Sequence, residues 1–250
     1  MASVCVDVHR IKAYRAAFPR LHERNMNGVI CWGGDLLPER LIAAYSLGIF
    51  PWFNEEPILW WSLAPRCILP LDRFVLPKRS ARAIKHANFE LSLDRAFSEV
   101  IDGCAQPRSG EKGTWITEDM RKAYCRLHEL GYAHSVEVWR DGDLVGGLYG
   151  VGLSRGFFGE SMFHKTSEAS RFALVGLVSL LVMRQACLLD CQQETPHMMR
   201  MGAIMVSGEE YQNLLTQAHL GRRVRYTENI WKPWTERYVW LKDQERWGII

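Results

Sequence analysis

Residues 144–164 read LVGGLYGVGLSRGFFGESMFH, and this stretch decides the fold. It contains two runs that are typical of strands, at 144–153 and 157–164, joined by the turn residues Arg155-Gly156. The run before it, at 134–140, alternates in the same way and ends at Asp141-Gly142, which is a hairpin turn signal. The sequence therefore predicts a meander of three antiparallel strands.

A single carboxylate, Glu160, interrupts the apolar run of the last predicted strand. Because side chains alternate along a strand, Phe158, Glu160 and Met162 are expected to share one face. That face would form an apolar pocket with one polar group on its floor. The alternative is a core glutamate held by a salt bridge, since buried acids are uncommon unless they are paired.

Glycines recur along the middle strand of the meander. Alternation places Gly146, Leu148, Gly150 and Gly152 on one face. Glycine in a strand often marks the close approach of a ligand or another backbone, which predicts a hollow beside Glu160. A bulge or a sharply curved sheet explains the same pattern.

A buried helix and a short strand follow the meander. Residues 168–184 are apolar nearly all round, and 188–192 read LLDCQ. A strand, a buried helix and a strand in this order predict a crossover onto the same sheet. Asp190 and Gln192 would then share a face of the last strand.

Aromatic residues and prolines are concentrated near the N-terminus, in residues 48–61. They follow a helix that is predicted from Asp35 to Gly48. Trp52 in this segment, and Trp115 beside a later helix start, could form a small aromatic core or a platform that stacks on a base.

Basic residues dominate the segment 66–85, which contains Asp72 as its one acid. Pro77 can open a helix, on which Lys78, Arg82 and Lys85 lie along one stripe. Such a stripe matches a phosphate backbone, although a solvated helix face has the same composition.

Composition and missing motifs exclude several classes of protein. The 250 residues carry a net charge of +3 and seven cysteines without a CxxC pair, which fits an ordinary globular protein in a reducing compartment. The longest apolar run, 172–183, is too short to span a bilayer. The sequence contains no phosphate-binding loop, no dinucleotide fingerprint, no nucleophile elbow and no zinc-ligand spacing.

Several long motifs, taken in order, resemble the leucyl/phenylalanyl-tRNA–protein transferase family from about Gly28 to Leu220. They are GGDLLPERLIAAYSLGIFPWF (33–53), PILWWS (57–62), GTWIT (113–117), YAHSVEVW (132–139), GGLYGV (146–151), FFGESMF (157–163), and LLDCQ (188–192) followed by His197 and Gly202-Ala203.

The resemblance implies an α+β fold. A small N-terminal α+β domain at 1–66 would precede an acetyltransferase-like (GNAT-like) domain at 67–226, whose mixed, mainly antiparallel sheet is flanked by helices. An aromatic tail would occupy 227–250.

The activity that the resemblance implies is transfer of Leu or Phe, and weakly Met, from aminoacyl-tRNA to the N-terminal amine of proteins that begin with Arg or Lys. The product is a degradation signal. No metal or coenzyme is expected, and the protein would be a cytoplasmic monomer without a membrane partner.

The resemblance also implies which residues bind the donor. The terminal adenine of the tRNA would lie near Trp52 and Trp115, and the amino-acid side chain would lie among Leu148, Phe158 and Met162. The tRNA body would contact the basic stripe, which comprises Lys78, Arg79, Arg82 and Lys85.

Three polar residues are expected to carry the reaction. Glu160 would hold the aminoacyl end by hydrogen bonding, with proton transfer as an alternative role. Asp190 would orient Gln192, whose carbonyl oxygen would accept a hydrogen bond from the attacking amine.

Two other functions compete with this interpretation. An acetyl-coenzyme A acyltransferase would share the predicted fold, but the Thr166–Ser170 region lacks the turn that usually holds the pyrophosphate. A non-catalytic tRNA- or RNA-binding module would use the basic stripe and the tryptophans alone.

Overall fold

The computed structural model of the chain describes residues 6–19, 28–107 and 114–220. Its helices are α1 (Val8–Ala17), α2 (Pro38–Ser46), α3 (Lys78–Lys85), α4 (Phe97–Ala105), α5 (Glu118–Glu129), α6 (Ala169–Met183), α7 (Pro196–Arg200) and α8 (Gly208–Gln217). Its strands are β1 (Val29–Trp32), β2 (Phe50–Pro51), β3 (Leu59–Trp61), β4 (Arg66–Ile68), β5 (Glu90–Leu93), β6 (Ala133–Arg140), β7 (Asp143–Leu153), β8 (Gly156–His164), β9 (Leu188–Gln192) and β10 (Ile204–Val206).

The larger sheet has seven strands in the order β10-β4-β9-β8-β7-β6-β5. The predicted meander is confirmed as β6, β7 and β8, and Asp141 and Gly142 both have positive φ at the first hairpin. The pairing of β8 with β9 is parallel, because α6 carries the chain back across the sheet between them. A mixed, mainly antiparallel sheet flanked by helices is therefore confirmed.

Helices cover both faces of this sheet. Nearly every side chain of α6 is buried, and α6 packs on one face over β6, β7 and β8. The opposite face packs against α2, α4 and α5 through a second cluster of buried apolar residues. A sheet that is covered on both sides explains why β7 is apolar along most of its length.

Strand β8 contains a bulge at Glu160. Gly150 pairs with Gly159 and Tyr149 pairs with Ser161, so Glu160 is the extra residue. An extra residue breaks the two-residue alternation of side chains along the strand. The sequence could not reveal this, because a bulge is a property of the pairing register.

The bulge makes the predicted shared face wrong. Phe158 packs on Tyr45 of α2, and Glu160 lies on that same side of the sheet. Met162 pairs with Leu148, and both lie in the cluster that packs against α6 on the other side.

The predicted hollow along β7 is also wrong, because its glycine face is filled. A Cβ added to Gly146 would lie 2.6 Å from the Cβ of Ala169 in α6. A Cβ added to Gly150 would meet the ring of Phe157 and the backbone of β8. The glycines allow close packing, and the bulge that was the alternative explanation is present.

A smaller sheet has the order β1-β3-β2 and contains the N-terminal aromatic residues. Trp60 is buried on one of its faces. Trp52 and Trp61 lie on the other face with their ring centroids 5.3 Å apart.

The predicted domain boundaries after 66 and 226 remain predictions, and the tail at 227–250 lies outside the described residues. None of the helices in the described ranges is long and apolar enough to cross a membrane.

Candidate active site

The site lies where β8 and β9 separate. The two strands pair in parallel up to Phe158 and Asp190, and beyond this point they diverge. Glu160 and Gln192 lie on either side of the divergence, where Gln192 Nε2 donates to Glu160 Oε1 at 2.7 Å. Both residues are partly exposed, so the structure leaves this pair accessible from solvent.

Asp190 is buried at the base of the site and is fully hydrogen-bonded. Arg66 of β4 donates to both of its carboxylate oxygens, at 2.8 Å from Nε and 2.7 Å from Nη2. The hydroxyl of Tyr211 in α8 donates to Oδ2 at 2.6 Å. Both members of the ion pair are 0% exposed. Such a bidentate pair fixes the carboxylate in one orientation.

Arg66 is held in place by more than its ion pair. Its guanidinium lies 4.8 Å from the ring centroid of Phe50 and 4.8 Å from that of Tyr211. Burial acts to lower the pKa of Arg66, but Asp190 and Tyr211 raise it overall. Arg66 therefore stays charged although its side chain is fully buried.

Asp190 acts on the backbone of Gln192. The amide N–H of Gln192 donates to Asp190 Oδ1 at 2.8 Å, and Gln192 has a φ of 60°. Left-handed backbone at a residue other than glycine costs on the order of 1–3 kcal/mol and persists where the surroundings impose it. The predicted link between the two residues thus runs through the main chain of Gln192.

Two tyrosines hold Glu160 from the helix side. Tyr124 of α5 donates to Glu160 Oε2 at 3.1 Å, and its hydroxyl also hydrogen-bonds to that of Tyr45 in α2. Burial raises the pKa of both tyrosines well above 10, so both keep their protons at neutral pH. Every hydrogen bond to Glu160 thus comes from a neutral donor.

Glu160 is a weaker acid than a free glutamate. Burial raises its pKa from 4.5 to about 7, while hydrogen bonds from Tyr45, Tyr124 and Gln192 oppose that rise. The charge of Asp190 adds a smaller upward contribution. A carboxyl group with a pKa near neutrality at the mouth of a site is a candidate for positioning a substrate or moving a proton.

Polar atoms without a partner lie beside this network. The Tyr149 hydroxyl and the Ser161 Oγ are buried on paired positions of β7 and β8, and neither has a hydrogen-bond partner within the described ranges. Buried polar groups are rarely left unpaired.

The structure separates the predicted donor-binding residues into two groups. Trp52 and Trp115 are partly exposed, in the small sheet and just before α5. Phe158 is 0% exposed beneath Tyr45, and Leu148 is 3% exposed against α6. Met162 is partly exposed on the α6 side.

The predicted basic stripe lies on α3, which begins directly after Pro77 as expected. Its buried residues are Ser80, Ala81 and Ile84. The opposite side is exposed and carries the four basic residues of the stripe, Lys78, Arg79, Arg82 and Lys85.

Sequence reasoning missed four residues of the site. Tyr45 and Tyr124 are hidden in the apolar pattern of their helices, because their rings fit that periodicity and their hydroxyl groups do not alter it. Arg66 and Tyr211 carry no local signal, since they lie 124 and 21 residues from Asp190.

Across the described residues, no three His, Cys, Asp or Glu side chains are grouped closely enough to hold a metal ion.

Comparison with known proteins gives consistent matches. The family model for leucyl/phenylalanyl-tRNA protein transferase matches residues 68–216, and the model for the N-terminal domain of that family matches 34–63. A leucyl/phenylalanyl-tRNA–protein transferase of Lawsonia intracellularis is 51% identical over 203 residues, which are 80% of this chain and 89% of the relative. One of Nitratidesulfovibrio vulgaris is 54% identical over 189 residues, which are 75% and 81% of the two chains.

Solved structures are matched at lower similarity. The structure of L-PGS from Bacillus licheniformis is 14% identical and has a TM-score of 0.38, over 68% of this chain and 57% of that chain. A structure of AAC(6')-Iy with a bisubstrate analogue is 11% identical with a TM-score of 0.30, over 55% and 93% of the two chains.

Proposed function

The chain belongs to the leucyl/phenylalanyl-tRNA protein transferase family, and on that basis we propose that it transfers leucine or phenylalanine, and methionine weakly, from tRNA to proteins. The acceptor is the N-terminal α-amine of a protein that begins with Arg or Lys, and the product is a signal for degradation. The reaction forms an amide bond and breaks the ester to the tRNA, whose ribose hydroxyl is the leaving group.

The hydrogen bond between Gln192 and Glu160 is the observation that carries this proposal. Because Nε2 of Gln192 donates to Glu160, the amide group has one defined orientation. Its carbonyl oxygen is then free to accept a hydrogen bond from an attacking amine. Asp190 supports this arrangement through the backbone of Gln192, at 2.8 Å.

Positioning can supply most of the acceleration. An aminoacyl ester is already activated, and an α-amine has a reference pKa of about 8, so a useful fraction is neutral near pH 7. Correct placement of the amine against the ester lowers the entropic part of the barrier. The amine proton leaves through the ribose hydroxyl or water, with Glu160 as the nearest group that can exchange a proton.

The donor would occupy a surface that continues from this pair. Trp52 and Trp115 would stack on the terminal adenine, because an indole offers a large π-face to any base. Of the three residues expected to contact the amino-acid side chain, Met162 is partly exposed, whereas Leu148 and Phe158 are buried on opposite sides of the sheet. A direct contact is therefore proposed for Met162 alone. We expect the tRNA body on the exposed basic side of α3.

We propose that the protein acts as a monomer in the cytoplasm, where its substrates are made. The carboxyl groups of Glu160 and of the exposed Glu194, two residues after Gln192, would attract a basic side chain at the acceptor N-terminus.

The test is transfer of labelled leucine from Leu-tRNA to peptides that begin with Arg, Lys, Asp or Glu. The wild type should label the Arg and Lys peptides. Gln192→Ala should lower the single-turnover rate with nearly unchanged affinity for Leu-tRNA, and the neighbouring Gln193→Ala is the matched control. A normal rate in Gln192→Ala would remove Gln192 from the reaction, and transfer to none of the peptides would contradict the function itself.

A further inference from the structure

An unusually exposed tryptophan, Trp32, ends strand β1 of the small sheet. It is 73% exposed, the largest fraction among the exposed large apolar side chains of the described residues. A tryptophan in that position costs free energy in water and gains none from the core. The residues that share its face of the sheet indicate which ligand could cover it.

The strand register places Trp32 on the same face as Trp52. Trp32 pairs with Leu59 of β3. On the other side of β3 the register Phe50↔Trp61 and Pro51↔Trp60 continues to Trp52, whose N–H donates to the Leu59 carbonyl at 3.0 Å. Residues directly opposite each other in a sheet point to the same face, so Trp32, Leu59 and Trp52 form one row.

This face is continuous with the site. Phe50 pairs with Trp61 and lies two residues before Trp52, so it shares the face. Its ring lies against the guanidinium of Arg66, which binds Asp190. The face that carries Trp32 and Trp52 thus continues through the buried Phe50 into the packing at the base of the site.

The backbone next to Trp32 is held by hydrogen bonds and has open space beside it. The next residue, Gly33, donates its N–H to the Ile58 carbonyl at 2.7 Å and accepts from Trp60 Nε1 at 2.9 Å. A Cβ added to Gly33 would meet nothing within 4 Å. An exposed indole on an already ordered backbone is suited to stacking, because the main chain needs no further ordering on binding.

We propose that Trp32 stacks on a base of the single-stranded 3′ end of the donor tRNA, upstream of the terminal adenosine. This proposal rests on the proposed function and extends its donor site. Trp32 and Trp52 stand two strand spacings apart, about 10 Å. Since stacked bases rise about 3.4 Å each, the two indoles contact different nucleotides.

The experiment compares two donors, Leu-tRNA and 3′-O-leucyl-adenosine, with one Arg-initiated acceptor peptide. Leucyl-adenosine contains the terminal nucleoside and none of the upstream bases. In Trp32→Ala the ratio of KM for Leu-tRNA to KM for leucyl-adenosine should rise about 5- to 150-fold, which is the range for loss of one stacked base. Trp32→Phe should keep most of the wild-type ratio, because it keeps an aromatic face.

Val75→Ala is the control, since Val75 is exposed at 57% on another part of the surface and should leave the ratio unchanged. An unchanged ratio in Trp32→Ala overturns the proposal, as does a parallel rise of both KM values, which would mean that Trp32 acts through the sheet. If the wild type uses neither donor, the proposed function fails and the Trp32 proposal fails with it.

Discussion

Replacing Glu160 by glutamine should remove a pH-dependent loss of stability. Burial raises the pKa of Glu160 from 4.5 to about 7 in the folded protein. At 1.36 kcal/mol for each pKa unit, this difference corresponds to about 3 kcal/mol of unfolding free energy. Glutamine has nearly the same shape and no proton to lose, so it separates the charge of the side chain from its packing.

The direction follows from proton binding. Below about pH 4.5 the side chain is protonated in both the folded and the unfolded state, and it adds no pH dependence. Between about pH 4.5 and 7 the folded state keeps the proton and the unfolded state releases it, so stability falls as the pH rises. Above about pH 7 both states are ionised, and the full loss of about 3 kcal/mol remains.

Urea unfolding of wild type and Glu160→Gln at several pH values between 4 and 8 measures this effect. The unfolding free energy of the variant minus that of the wild type should increase with pH by about 3 kcal/mol and level off above pH 7. Other titrating groups are common to both proteins and cancel in the difference. Glu194→Gln, at an exposed position, serves as the matched control. Its unfolding free energy should change with pH in parallel with that of the wild type. Parallel curves for Glu160→Gln would refute the assigned environment of Glu160.

Two further predictions follow from the contacts. Lys78→Ala and Arg82→Ala on α3 should each weaken binding of all tRNAs alike and reduce the slope of log K against log salt by about 1. Filter binding at several salt concentrations measures this slope. An unchanged slope would mean that this side of α3 is an ordinary solvated helix face. Tyr211→Phe removes the donor at 2.6 Å from Asp190. It should lower the unfolding free energy by about 1–3 kcal/mol and lower kcat more than it changes the KM for tRNA. Tyr14→Phe is the control: the Tyr14 hydroxyl lies on α1 and accepts a hydrogen bond from Arg10, so its removal should leave kcat unchanged.

The order of the elements was predictable because its signals are local. Asp141-Gly142 between alternating runs is enough to specify the hairpin of β6 and β7. The apolar run after residue 168 has no polar side that could face water, so it had to be covered, and a helix over the sheet with a parallel return strand covers it. The family motifs extend through these same elements, and the matches to residues 34–63 and 68–216 confirm the resemblance.

The details of the site were not predictable, because they depend on distant residues and on register. One extra residue at Glu160 moves Met162 to the far side of the sheet, and nothing in FFGESMF indicates it. Arg66 was counted with the basic residues of segment 66–85, although it is 0% exposed in an ion pair with Asp190. The sign of a side chain's charge is visible in a sequence, but its burial depends on the whole fold.

The two acids of the site differ in the partners they receive, and this difference assigns their roles. Asp190 accepts hydrogen bonds from Arg66, the one buried cation among the described residues of the network, and from the Tyr211 hydroxyl. These bonds fix the orientation of the carboxylate and occupy both of its oxygens. Glu160 receives only neutral donors and has a pKa of about 7. A carboxyl group that titrates near neutral pH is the one suited to proton transfer. We therefore propose that Asp190 anchors the backbone of Gln192, and that Glu160 combines positioning with the capacity to exchange a proton during transfer.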